Sequence, residues 1–143
     1  MTSVEQEGVG ASSVAGRVSP CILLVDDDGG ILSVLTEFLG RYGHRIITAS
    51  SPIKALDLFA QHKSEIAVVL TDYFMPGLDG GQLSDRMRGM KPSIKVIIMS
   101  TLDSLQLRQV FARRTISGYL TKPLQFSELE YVISKVIPTS KPA

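Results

Sequence analysis

The chain has a single cysteine, Cys21, so no internal disulfide can form, and its place at the mouth of an apolar run predicts a buried, inert thiol. That fits a cytosolic protein. No apolar stretch approaches the roughly 18 residues of a spanning helix, and the first residues lack the charged head and apolar body of a secretory signal. The expectation is a soluble, unexported protein with no membrane partner. Charge of one sign is not in excess: 15 Lys and Arg stand against 14 Asp and Glu, a formal net charge of +1, which gives no reason to expect nucleic acid as an obligatory partner. Histidine is scarce. His44 and His62 have no acid or second histidine at metal-ligand spacing, so both are expected as solvated surface residues. No helix-turn-helix, zinc module or basic tail follows Ile137, which predicts output through a protein surface rather than direct contact with nucleic acid.

What is present is a regular alternation. With 143 residues and 44% hydrophobic content the chain can bury one full core. Residues 1–19 are mostly Ser, Gly, Val and Ala without a usable period and are expected as a flexible extension, residues 138–143 as a short tail, and residues 20–137 as the domain. Cys21 to Val25 is a continuous apolar run, after which Ile31, Leu32, Leu35, Phe38 and Leu39 recur at helical spacing until Gly40 and Gly43. Arg45 to Ala49 predicts a second strand. Ser51-Pro52 opens a helix with an N-cap and a first-turn proline, carrying Ala55, Leu56, Leu58 and Phe59 inward. Ile66 to Leu70, Lys95 to Met99 and Gly118 to Thr121 predict three further strands. Between and after them, helices are expected over Gly80 to Met90, Asp103 to Arg114 and Gln125 to Ile137, the last with Ser127 and Glu130 as a capping box.

Five continuous apolar strands alternating with five helices imply parallel pairing, right-handed crossovers and a sheet covered on both faces. The fold class is α/β, a doubly wound five-stranded parallel sheet of order 2-1-3-4-5 flanked by five helices, as in flavodoxin-like folds. In that order the switch point lies between strands one and three, so Asp27 and Asp72 would stand side by side. Four apolar runs end at phosphate or metal chemistry: Val25 at Asp26-Asp27-Asp28, Thr71 at Asp72, Met99 at Ser100 and Thr121 at Lys122. Crowded carboxylates repel unless a cation lies between them, and hard oxygen ligands suit Mg²⁺. Asp72 stands alone before Tyr73-Phe74-Met75-Pro76-Gly77 and is the candidate nucleophile toward phosphorus. Ser100 and Lys122 are its candidate donors. The acidic run taken alone reads equally as a solvated turn or a helix N-cap.

The segments Ile22-Leu-Leu-Val-Asp-Asp-Asp28, Val69-Leu-Thr-Asp-Tyr-Phe-Met-Pro-Gly-Leu-Asp-Gly80, Val96-Ile-Ile-Met-Ser100 and Gly118-Tyr-Leu-Thr-Lys-Pro123 together resemble the receiver domain of two-component response regulators. The resemblance covers about Pro20 to Ile137. It implies that a sensor histidine kinase or histidine phosphotransfer protein donates a phosphoryl group to Asp72, the domain catalysing its own Mg²⁺-dependent phosphorylation and dephosphorylation. The implied Mg²⁺ ligands are Asp27 directly, Asp26 through water, Asp72, and the backbone carbonyl of Phe74. Lys122 would contact the phosphoryl oxygens, Ser100 would be the switch hydroxyl, and Tyr119 the switch aromatic, coupling the site to a face of the fourth helix and fifth strand. A downstream protein target is implied, and a homodimer through the fourth helix, fifth strand and fifth helix is one form that output can take.

Two departures from the family pattern stand out. Thr101 replaces the small residue usual after Ser100, tightening the rim or adding a second hydroxyl against the phosphoryl group, and Gly29-Gly30 is looser than usual after the acids. Phe74 and Leu102 flank the acceptor with apolar bulk, so the phosphorylated state is expected to be long-lived. Leu105, Val110 and Phe111 with Arg108, Arg113 and Arg114 describe an amphipathic helix whose basic side is either solvated or a docking side for an acidic partner. The rival reading is a haloacid-dehalogenase-like phosphatase, with Asp26 as nucleophile and Asp28 as acid/base. It leaves Asp72 and its Met-Pro-Gly exit without a role.

Overall fold

A computed structural model of the chain describes residues 20–112 and 115–137; the expectations for residues 1–19, 138–143, Arg113 and Arg114 lie outside the described residues. The elements are β1 (Cys21–Val25), α1 (Gly29–Gly40), β2 (Arg45–Ala49), α2 (Pro52–His62), β3 (Ile66–Asp72), α3 (Gly80–Met90), β4 (Lys95–Ser100), α4 (Ser104–Val110), β5 (Gly118–Thr121) and α5 (Phe126–Val136). They form one parallel sheet of order β2-β1-β3-β4-β5, the order expected.

The apolar runs are continuous because both sheet faces are covered. Along β1 the pleat sends Cys21, Leu23 and Val25 to one face, where Phe59 of α2, Leu83 and Met87 of α3 and Leu107 of α4 pack. Ile22 and Leu24 point to the other, against Leu35 and Leu39 of α1 and Leu129 and Ile133 of α5. Each such side chain, fully buried, contributes on the order of 1.5–3 kcal/mol.

β3 and β4 run on to Asp72 and Ser100, beyond the ends expected at Leu70 and Met99, so both site residues belong to the sheet itself. Asp72 is in register with Met99, and Ser100 with Thr121. Three local expectations need correction. α5 starts at Phe126, not at a Ser127 capping box: Gln125 occupies the N-cap without a side-chain hydrogen bond, and the Phe126 ring stacks on Phe38 of α1 at 4.5 Å. α4 ends at Val110, with Phe111 as its C-cap, and the helix buries Leu107 while Leu105 and Val110 stay exposed. His44 is buried, not solvated: Gly43, at φ +83°, turns the chain inward just before β2, and the imidazole stacks beside Tyr42. Burial lowers its pKa. His62 is partly exposed, 3.9 Å from Glu65.

Candidate functional site

The strand ends bring the acidic residues together, but the three consecutive aspartates take three different environments. Asp26 is fully buried; its Oδ1 accepts from the Asp28 N–H at 2.9 Å and its Oδ2 from Lys122 Nζ at 2.9 Å. Asp27 is exposed. Asp28 caps α1, accepting from the Gly30 and Ile31 N–H groups at 2.8 and 3.3 Å; a Cβ at Gly30 would stand 3.2 Å from the Asp28 Oδ1, so that glycine gives the cap its room, and the helix begins directly after it. An Asp28 carboxylate committed to a helix end is not an acid/base facing Asp26, and the phosphatase alternative loses its second residue.

Across the switch point, Asp72 ends β3, only 6% exposed, with Oδ1 3.2 Å from Lys122 Nζ. One oxygen each from Asp26, Asp27 and Asp72 lie within 4.8 Å of one another. Burial raises the Asp72 pKa; the charge of Asp26 adds to the rise, and Lys122 opposes it. Burial works against the Lys122 charge as well, but its hydrogen bonds and attraction to Asp26 and Asp72 outweigh that and raise its pKa. One ammonium thus faces two buried carboxylates with a third at the mouth, and the cluster carries a residual negative charge. Such a donor set fits a hard divalent cation, since each carboxylate keeps an oxygen within reach of a common centre.

Lys122 reaches the site because β5 ends one residue earlier, its N–H donating to the Ser100 carbonyl at 2.7 Å, and a cis Lys122–Pro123 peptide follows. The buried Ser100 hydroxyl accepts from the Leu102 N–H at 3.1 Å, tying it to the loop before α4. Thr101 is exposed on the rim. Tyr119 is partly buried 6.0 Å from the Phe111 ring, and Phe111 in turn meets Tyr73 edge-on at 5.4 Å. Burial raises the Tyr119 pKa against the pull of Arg108. Phe74, 55% exposed, lies at the mouth with its ring against Tyr73 at 4.7 Å.

Two residues escaped the sequence reading. Thr71 donates its hydroxyl to the Asp72 carbonyl at 3.0 Å, and Gly80 packs against that same carbonyl. The only sequence signal was the Asp79-Gly80-Gly81 run, which reads as a helix start. Asp79 does cap α3 in a capping box with Gln82.

The family model described as the response regulator receiver domain matches residues 22–134. Among curated relatives, the chain is 30% identical over 117 residues to sporulation initiation phosphotransferase F of Bacillus subtilis, covering 82% of this chain and 93% of that protein. It is 31% identical over 121 residues to the DNA-binding transcriptional regulator NtrC of Azospirillum brasilense, covering 85% of this chain but 25% of that protein, so it spans about a quarter of that longer relative. Among solved structures it is similar to a receiver domain protein from Clostridium thermocellum, with a TM-score of 0.77 at 29% identity over 83% of this chain and 94% of that one. It is similar as well to a CheX–CheY–BeF3–Mg complex from Borrelia burgdorferi, with a TM-score of 0.77 at 25% identity over 82% and 89%. Matched in family, in sheet order and in relatives along nearly the whole domain, the chain belongs to the response regulator receiver domain family, and its role is that of a phosphoacceptor in two-component signalling.

Proposed function

We propose that Asp72 is the phosphoacceptor and that the domain takes its phosphoryl group from the phosphohistidine of a sensor kinase or phosphotransfer protein. The observation that carries this is the bridging of Asp26 and Asp72 by Lys122, at 2.9 and 3.2 Å, beside the exposed Asp27. Asp26, Asp27, Asp72 and the Phe74 backbone carbonyl would hold Mg²⁺, with Asp26 acting through water. The cation would neutralise the carboxylates and the charge on the phosphoryl oxygens. An Asp72 oxygen attacks phosphorus as the phosphorus–nitrogen bond of the donor breaks. Lys122 moves from pairing carboxylates to pairing phosphoryl oxygens, which keeps its charge satisfied throughout. The domain catalyses this transfer and also the hydrolysis that ends the signal, in which water takes the phosphoryl group as inorganic phosphate and Asp72 is returned as the free carboxylate.

The same residues supply the switch. Phosphorylation adds roughly −1.5 to −2 charge and three acceptor oxygens at the end of β3. The Ser100 hydroxyl leaves the Leu102 N–H to bond a phosphoryl oxygen, Thr101 offers a second hydroxyl at the rim, and Tyr119 moves against Phe111 into the space released. The output face is formed by α4, β5 and α5, where a downstream protein target, or a second copy of the chain, docks.

Intact-mass measurement after incubation with Mg²⁺ and acetyl phosphate tests the acceptor. One phosphoryl group on wild type and none on Asp72→Asn is the expected result, with Asp26→Asn slowed. Continuous phosphate release that depends on Asp26 and ignores Asp72 would overturn the reading.

A further inference from the structure

Gly80, the first residue of α3, is buried against the main chain of the acceptor. A methyl on its Cα would stand 2.6 Å from the Asp72 carbonyl oxygen and 3.0 Å from Tyr73 Cα. Both are backbone atoms with no rotamer to swing aside. Glycine is not required there for its φ, since the positive φ values among described glycines belong to Gly43 and Gly77. It is required for space. Neither side can yield easily: β3 is paired on both edges, and the Tyr73 N–H donates to the Met99 carbonyl at 2.8 Å. α3 is held by its Asp79 cap, by Leu83 and Met87 in the core, and by the Gly80 N–H donating to the Tyr73 carbonyl at 2.8 Å. The oxygen that Gly80 crowds is the one that accepts from the fully buried Thr71 hydroxyl at 3.0 Å.

We infer that Gly80 and Thr71 are positioning residues for phosphoryl transfer: together they seat the Asp72 carbonyl, and so set where its carboxylate meets phosphorus. The inference rests on the reading of Asp72 as acceptor. Gly80→Ala must open the contact from 2.6 Å toward the 3.4 Å where ordinary van der Waals contact begins, a displacement of about 0.8 Å. Misplacing a reacting group by about 1 Å costs on the order of 10²-fold in rate. Thr71→Val keeps the shape of the side chain and removes only the hydrogen bond.

The test is the first-order rate of phosphorylation of the full chain by acetyl phosphate, at saturating Mg²⁺ and donor and well below every variant's melting temperature. In this reaction the Asp72 oxygen–phosphorus bond forms as the acetyl oxygen–phosphorus bond breaks, and acetate leaves with the electron pair. Gly80→Ala is expected to be slower by about 30- to 100-fold and Thr71→Val by about 3- to 10-fold. Gly118→Ala is the control. Its methyl meets Val132 Cγ1 at 2.8 Å, a movable side chain at the far end of β5 from Lys122, so it disturbs packing while leaving the rate at the wild-type value. Wild-type rates in both variants, or an equal loss in Gly118→Ala, would each overturn the seating. If Gly80→Ala does not fold, the Thr71→Val rate decides alone. A phosphoryl group on Asp72→Asn, or none on wild type, would instead overturn Asp72 as acceptor.

Discussion

Removing the charge of Asp72 is expected to stabilise the metal-free domain. Asp72 is nearly buried, and one of its oxygens lies within 4.8 Å of oxygens of Asp26 and Asp27. At an effective dielectric of about 20, two like charges 4.8 Å apart repel by about 3 kcal/mol. Two such repulsions are opposed by Lys122 at 3.2 Å, whose charge is already shared with Asp26 at 2.9 Å. The net penalty is therefore a fraction of the sum, about 1–3 kcal/mol. The sign follows from the raised pKa: the folded state holds the Asp72 proton more tightly than the unfolded chain, so the penalty is absent below the unfolded pKa and is fully present once pH has risen through the folded one. Asparagine keeps the shape and leaves an amide oxygen that can accept from Lys122. For a domain of this length 1 kcal/mol moves the midpoint by about 3–4 °C, so Asp72→Asn in EDTA near neutral pH should melt about 3–12 °C higher by circular dichroism. Saturating Mg²⁺ should narrow or reverse that order, since ligand at a hundredfold excess over Kd stabilises by about 2.7 kcal/mol and the variant has lost a charged ligand. A variant no more stable than wild type in EDTA, or an equal Mg²⁺ increment in both, would refute the electrostatic account of the site.

Lys122→Met should act in the opposite direction, costing about 3 kcal/mol without metal because it leaves Asp26 and Asp72 buried and unpaired, and recovering in Mg²⁺; a urea midpoint within error of wild type in EDTA would count against the pairing. His44 gives a pH signature. Its pKa is lowered by burial, so its contribution is complete above the unfolded value near 6.5 and is lost as pH falls below that toward the folded value. In an Asp72→Asn background, which removes the carboxyl of opposite sign, urea stability should decline below that pH, and His44→Leu should flatten the decline; an unchanged slope removes His44 as its source. Phe74 and Leu102 are expected to slow hydrolysis of the acyl phosphate, and replacing the half-exposed Phe74 by Asn should speed loss of the phosphoryl group several-fold by intact mass in Mg²⁺. Rapid first-order loss from wild type with no partner present would sink that idea.

How much of this was legible in the sequence depends on whether the information was local. The apolar run of β1 carries no alternation because it faces helices on both sides, and that, together with strands alternating with helices along the chain, implied a parallel, doubly covered sheet. Once the sheet is parallel, residues that end strands must converge, so Asp26, Asp27, Asp72, Ser100 and Lys122 could be grouped with no coordinates at all. What stayed hidden is set by distant partners. At the start of α5, Phe126 stacks on a ring of α1 that lies 88 positions away in the sequence, a contact that the local capping pattern at Ser127 could not anticipate. His44 looked like a turn histidine because nothing nearby reveals which way Gly43 sends the chain. Gly80 shows the limit most clearly. Beside Asp79 it reads as an ordinary helix start, and its demand for empty space arises only when α3 is laid across the end of β3. Strand ends thus announce which chemical groups meet, while the sub-ångström fit that lets them react is written in the backbone contacts between elements, where a single methyl group decides the outcome.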